Sequence, residues 1–221
     1  MCSRYQPPHV QLADWDEIAG SLAPTFEFKA ECFPGYDAPV ILNEGVHAPV
    51  RACFGMLPHW AKDEKLARQT YNARTETVAE KPSFRNAWKK RQLCLVPAQA
   101  FMEPNYETGK PVWWRIHRVD DKPFALAGIW ESKRGADDRP RRSFSMLTIP
   151  GAGHPIMDRM HAPGDEKRSV VVIPPDHYER WLEAEADVDL RDMLQLFDAE
   201  QFAAAPSSAQ QDEAPDREPR R

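Results

Sequence analysis

The chain has 221 residues, 42% of them apolar and 29% charged, and a net charge of −5. No run approaches the roughly 18 unbroken apolar residues of a membrane span, and Pro7, Pro8, His9, Asp14, Asp16 and Glu17 interrupt the apolar core that a secretory signal needs. One folded domain in the cytoplasm is the expectation, with no feature that signals a membrane or an oligomer, so a monomer.

Proline occurs 21 times, about twice the usual share, and cuts the chain into short elements. Residues 51–57 and 92–96 read as strands, alternating or continuously apolar between turn residues. Between them a helix opens near Pro82 and Ser83, with Phe84, Ala87 and Trp88 on one face. Further strands are expected at 112–117, 124–130, 144–148 and 169–173. Pro175 and Asp176 open a second helix with Tyr178, Trp181 and Leu182 at helical spacing. A last helix is expected over 189–197, with Leu190, Met193, Leu194 and Phe197 as its stripe. From Pro206 onward there is no aromatic or large aliphatic residue, so 206–221 reads as a disordered tail behind a domain over 1–205. A run of strands with few helices interleaved predicts an α+β class: a single domain with a mainly antiparallel β-sheet or barrel-like core, flanked by a few helices.

The acidic total conceals an uneven distribution. Residues 59–93 carry nine Lys/Arg against four acids, and 133–142 carry five against two, whereas 176–205 carry nine acids against two bases. A positive groove on an acidic protein is compatible with nucleic-acid binding. The four cysteines (Cys2, Cys32, Cys53, Cys94) are scattered, with no C-x-x-C pair. They read as free thiols rather than a disulfide frame or zinc site, and no metal or other cofactor is expected.

Four groups of residues could carry chemistry. Cys2 follows Met1, and a small second residue normally lets the initiator methionine be removed. The new N-terminus then bears an α-amine and a thiol on adjacent carbons. With an amine pKa of about 7.7–8.0, an appreciable minority is neutral at pH 7 and can attack an aldehyde to give an imine, which the thiol closes to a thiazolidine. Asn72, in the segment Tyr71-Asn72-Ala73-Arg74-Thr75-Glu76-Thr77, can hold an amine or a substrate oxygen, and Arg74 offers a planar fork suited to phosphate. The apolar run Leu93–Pro104 delivers one carboxylate, Glu103, in a setting suited to proton shuttling. His154 and His161 lie seven apart, not at the i, i+4 spacing of a helical metal pair, and a single histidine before a strand suits a general acid.

These groups occur in the order of one family. The chain resembles the SOS response-associated peptidase (SRAP) family, whose members shield abasic sites in single-stranded DNA by crosslinking to them. The family's Met-Cys-Gly-Arg start appears with Cys2 and Arg4 in place and Ser3 departing. Its Asn-Ala-Arg-x-Glu-Thr is intact as Asn72, Ala73, Arg74, Glu76 and Thr77. Its cysteine-to-glutamate run spans Arg91 to Pro104, with Phe101 and Glu103 matching and Pro104 replacing a tryptophan. The family's His-x-Arg-Met-Pro-Val aligns on His161 and on Arg168-Ser169-Val170-Val171, with a short insertion over 162–167. His154 then takes the place of a family asparagine. A competing alignment puts Met157-Asp158-Arg159-Met160 on that motif and leaves no histidine at the active position.

The resemblance implies a reaction and a partner, single-stranded DNA containing abasic sites. The Cys2 amine attacks the ring-opened deoxyribose aldehyde and its thiol closes the ring. Glu103 relays protons, His161 favours sugar ring opening, and Asn72 holds Cys2. Arg4, Arg74 and Arg85 meet phosphates, Pro39 and Trp60 shape the nucleotide surface, and Thr148 falls in register with the DNA-contacting set. A cytoplasmic, nucleoid-associated location follows. Two other readings remain open: a thiol peptidase or amidohydrolase with Cys2 as nucleophile, including removal of its own Met1, and a nucleic-acid-binding module whose cysteine is incidental.

Overall fold

The computed structural model describes residues 2–9, 15–20, 22–135 and 138–207. Twelve strands occur in chain order among them: β1 (Arg4–Gln6), β2 (Asp37–Leu42), β3 (Pro49–Phe54), β4 (Asn72–Arg74), β5 (Leu93–Ala98), β6 (Ala100–Asn105), β7 (Val112–Arg118), β8 (Phe124–Arg134), β9 (Pro140–Pro150), β10 (Arg168–Val170), β11 (Val172–Ile173) and β12 (Phe202–Pro206). Four short helices accompany them: α1 (Asp16–Ala19), α2 (Arg85–Lys89), α3 (Tyr178–Leu182) and α4 (Asp187–Asp192).

The larger sheet runs β10-β9-β3-β2-β5-β8-β11, and β8 also pairs with β9. That pairing closes β9-β3-β2-β5-β8 into a five-strand barrel with no free edge. Two eleven-residue strands, β8 and β9, make closure possible, since each is long enough to serve two neighbours. The smaller sheet is a four-stranded antiparallel layer, β1-β6-β7-β12. The expected barrel-like core flanked by few helices is what the chain forms.

Strand alternation divides the core in two. Leu93 and Leu95 of β5 join Ala125, Ala127 and Ile129 of β8 in a cluster covered by the helices, through Trp88, Tyr178, Trp181 and Leu182. Cys94 and Val96 join Val40, Phe54, Leu126 and Phe144 in a second cluster, which the small sheet covers through Tyr5, Phe101 and Ile116. β5 is therefore buried along its whole length, which explains its continuous apolar run.

Several boundaries differ from expectation. The last helix stops at Asp192 rather than reaching Phe197. That ring is drawn instead into an aromatic group with His154, Phe202 and Phe101, at centroid distances of 4.4, 4.6 and 6.0 Å. Pro206, placed in the tail by composition, ends β12 opposite Trp114, and the Ser207 N–H donates to the Trp113 carbonyl. The rest of the expected tail, 208–221, lies outside the described residues. Among the described residues no helix is long and apolar enough to cross a membrane.

Candidate functional site

Cys2 reaches the site because β1 is zipped antiparallel onto β6, with Arg4 opposite Met102 and Tyr5 opposite Phe101. This register carries the two residues before β1, Cys2 and Ser3, to the end of β6 that bears Glu103. Cys2 is fully buried. Its thiol lies 3.4 Å from the Arg4 carbonyl, and its own carbonyl accepts a 2.8 Å bond from the Asn72 side-chain amide. Asn72 comes from the other sheet: β4 runs parallel to β9, with Asn72 opposite Met146. One side-chain hydrogen bond thus ties the N-terminal segment to the barrel.

Burial pushes the Cys2 thiol up to about 12, and the negative charge of Glu103 pushes the same way. Glu103 is itself 1% exposed, and His161 Nε2 lies 3.1 Å from its Oε2. That approach falls off the hydrogen-bond angle, and both ring nitrogens of His161, together with Asn72 Oδ1, have no hydrogen-bond partner among the described residues. Buried polar atoms are nearly always satisfied, so this cluster keeps donor and acceptor capacity for a polar guest.

His161 is positioned by its backbone. It adopts φ 66, a left-handed conformation that costs about 1–3 kcal/mol in a residue other than glycine. The surroundings hold it there: its N–H donates to the Pro104 carbonyl at 2.7 Å, and Lys167 Nζ donates to the Met160 and His161 carbonyls at 2.5 and 3.2 Å. His154 has a different setting. Its Nε2 donates to the Phe197 carbonyl at 2.8 Å, and its Nδ1 accepts from the Ile156 and Met157 N–H groups. Every polar atom of that ring is committed to holding a loop.

The structure brings together Cys2, Asn72, Glu103 and His161. The residues expected to meet DNA divide in two. Arg4 is buried, its guanidinium held by Glu31 at 2.7 Å and stacked between Phe33 and Trp113. Pro39 is buried within β2. Thr148 is 1% exposed, its carbonyl and hydroxyl taken by Arg168. None of these three stands at the surface. Trp60 (45% exposed) and Arg85 do, as does Arg74, whose guanidinium pairs with Glu166 at 2.8 Å. Arg85 lines a shallow open cleft of about 490 Å³ with Asn86, Trp88, Lys89, Arg91 and Asp187, separate from the four buried residues.

Sequence reasoning missed the carboxylates that answer these cations. Glu31 lies 27 residues from Arg4 and Glu166 lies 92 from Arg74, and no local spacing announces either pair. The basic stretch at 133–142 is answered in part the same way: Arg141 meets both Asp37 and Glu64, far along the chain, while Arg134 pairs locally with Asp138. Among the described residues no group of three or more His, Cys, Asp or Glu is placed to hold a metal ion.

A β-barrel domain that sets a cysteine at position 2 beside a buried glutamate–histidine pair defines the class. A family model for the SOS response associated peptidase (SRAP) matches residues 1–211, and the chain belongs to that family. Among curated relatives, the abasic site processing protein YoqW of Bacillus subtilis is 28% identical over 215 residues, covering 92% of this chain and 91% of its own. The abasic site processing protein YoaM of the same organism is 29% identical over 186 residues, covering 80% and 78%. Among solved structures, a Bordetella bronchiseptica protein superposes with a TM-score of 0.84 at 35% identity, covering 94% of this chain and all of that one. A Bacteroides thetaiotaomicron protein shares the fold, with a TM-score of 0.78 at 20% identity, over 94% and 93%.

Proposed function

We propose that this protein processes abasic sites in single-stranded DNA by forming a covalent thiazolidine through Cys2. The observation that carries this reading is the setting of Cys2: its carbonyl is clamped by Asn72, and its thiol lies under the charge of Glu103, which His161 approaches to 3.1 Å. With Met1 removed, the α-amine of Cys2 is the group that Asn72 Oδ1 is free to orient.

The reaction proceeds in balanced steps. His161 gives a proton to the ring oxygen of the deoxyribose and the C1′ hydroxyl gives one up, so the ring opens to the aldehyde. The Cys2 amine adds to C1′, and Glu103 relays two protons in turn from nitrogen to the former carbonyl oxygen, which leaves as water as the imine forms. The Cys2 sulfur then bonds to C1′, its proton passing to nitrogen. Aldehyde plus aminothiol gives thiazolidine plus one water, with no change of oxidation state.

The raised thiol favours this order of events over a thiol peptidase. A peptidase needs a thiolate to attack first, and burial beside Glu103 opposes the thiolate. Imine formation asks only for a neutral amine, and the thiol follows once the electrophile is in place. The relatives named for abasic-site processing support the same substrate. Trp60, Arg74 and Arg85 serve the strand by stacking and by phosphate contact.

The test is a denaturing gel of the protein incubated with single-stranded DNA bearing one abasic site. A slow-migrating band is expected from the des-methionine protein and none from Cys2→Ala. A band that persists in Cys2→Ala removes Cys2 as the nucleophile, and an absent band from intact, des-methionine protein removes the crosslinking reading.

A further inference from the structure

Glu103 has a neighbour that the reaction above leaves unused. In the β6–β7 ladder Glu103 stands opposite Trp114, so the two side chains leave the same face of the sheet with Cβ atoms roughly 5 Å apart. Trp114 is half-buried and packs against the core cluster beneath the sheet. Over its ring, 4.7 Å from the centroid, lies the guanidinium of Arg159.

Arg159 and His161 ride on one pinned segment. Asn105, two residues beyond Glu103 on the same strand, bridges to Met160 and donates from Nδ2 to the Arg159 carbonyl at 3.1 Å. His161 is bonded to Pro104. A single stretch of backbone therefore sets His161 against Glu103 and Arg159 over the residue opposite Glu103. The four side chains form a row that begins in the buried site and ends at the surface.

The surface end is built to take an oxyanion. Stacking on Trp114 holds the Arg159 plane, and its Nε and Nη2 point at the two oxygens of Glu107, at 2.7 and 3.1 Å. Arg159 is 43% exposed and Glu107 48%. An exposed bidentate pair of this kind adds little stability, yet Asn105 organises both partners, since its Oδ1 also accepts from the Glu107 N–H at 2.9 Å. A guanidinium fork fits a phosphate as it fits a carboxylate.

We propose that Arg159, oriented by Trp114, is a phosphate subsite for the single-stranded DNA backbone beside the reacting sugar, and that Glu107 occupies its fork until DNA displaces it. Trp114 lies one strand spacing from Glu103, roughly 5 Å, and the Arg159 guanidinium stands 4.7 Å from the centroid of its ring, which sets the subsite beside the place that a phosphate flanking the abasic sugar would take. It rests on the reading that the strand passes over Cys2 and Glu103.

Two substitutions with opposite expected signs test it, read by fluorescence anisotropy of a labelled oligothymidylate over a series of salt concentrations. Arg159→Ala is expected to weaken binding several-fold and to reduce the slope of log affinity against log salt by about 0.7, the loss of one single-strand phosphate contact. Glu107→Gln, which leaves the fork unclaimed, is expected to tighten binding several-fold. A merely structural Arg159–Glu107 pair leaves the slope unchanged in both variants, and that result overturns the proposal, as does weaker binding by Glu107→Gln. If Arg159→Ala fails to give the wild-type melting transition, the Glu107→Gln result alone decides. Gel assays with an abasic oligonucleotide run in parallel. An absent wild-type adduct beside a reduced slope in Arg159→Ala defeats the crosslinking reading and leaves the subsite standing. A normal adduct beside an unchanged slope defeats the subsite alone.

Discussion

The barrel buries both faces of its central strand, whereas the four-stranded sheet buries one face and leaves the other half-open. The candidate site sits on the small sheet's core-facing side, where Glu103 and Trp114 continue the face of Phe101 and Ile116. β5 is enclosed by the helices on one side and the second core cluster on the other, so it has no face left for a substrate. The small sheet presents Glu103 and Trp114 from β6 and β7 and delivers Cys2 through β1. The larger sheet contributes Asn72, through a short parallel strand added to β9. In the proposed reaction one layer supplies rigidity and the other the reactive groups, and the Asn72–Cys2 hydrogen bond joins the two layers.

The division can be broken at the barrel with the largest expected effect. Gly55 follows β3 at φ +116, and a Cβ there would lie 2.2 Å from the Ala67 carbonyl oxygen. Gly55→Ala is expected to cost more than about 4 kcal/mol, lowering the denaturant midpoint or leaving no folded protein. A midpoint within experimental error of wild type contradicts the close approach. On the sheet, Glu103→Gln is expected to slow crosslinking by about 10²–10⁴-fold, with oligothymidylate affinity held within about twofold. Equal loss of both would mean that Glu103 is structural. The same variant removes a charge that, after burial, raises the Cys2 thiol, so the thiol should titrate lower than in the wild type, visible in thiolate absorbance. An unmoved titration contradicts the assigned contact.

The two histidines sharpen the contrast within one loop. His161→Ala is expected to slow the covalent step at least tenfold with little change in melting temperature. His154→Ala strips two N–H donors and one carbonyl of their partner, and should cost about 1–3 kcal/mol with the covalent step retained in whatever remains folded. The reverse pattern would move the active histidine to 154. The smallest effect concerns acid stability. The Arg168 guanidinium holds the Glu76 carboxyl down at about 2. A depressed carboxylate adds stability that is fully present above its unfolded value near 4.3 and lost as pH falls towards 2. Glu76→Gln should therefore flatten the stability profile between about pH 4.3 and 2. Glu76 is 44% exposed, so the change is modest, and an unaltered profile counts against the assignment.

Much of this was legible in the sequence, for physical reasons that differ by element. β5, β7 and β8 announce themselves by apolar or alternating runs, and α2 by Phe84, Ala87 and Trp88, all buried as expected. β1 and β4 have only three residues each. They exist because β6 and β9 offer them a ladder, so no local pattern can reveal them. The same holds for the site. Cys2, Asn72, Glu103 and His161 stand out by residue type and order, but their meeting depends on the β1–β6 register and on the strained backbone at His161, which are tertiary facts. Arg4 and Thr148 show the converse. Their residue types suit a phosphate surface, while their partners, Glu31 and Arg168, lie far along the chain and draw them inward. The four-residue row from His161 to Arg159 was likewise invisible, because its members come from three separate segments.

The central claim is that the paired amine and thiol of Cys2 act together on one carbon. Intact mass analysis of the purified adduct, with iodoacetamide added after denaturation, tests it most directly. The account predicts a mass equal to the des-methionine protein plus abasic DNA less one water, with Cys2 resistant to alkylation because its sulfur is in the ring. An adduct whose Cys2 takes up the alkylating group would be an open imine, and one formed on protein retaining Met1 would not involve the α-amine of Cys2; either contradicts the account.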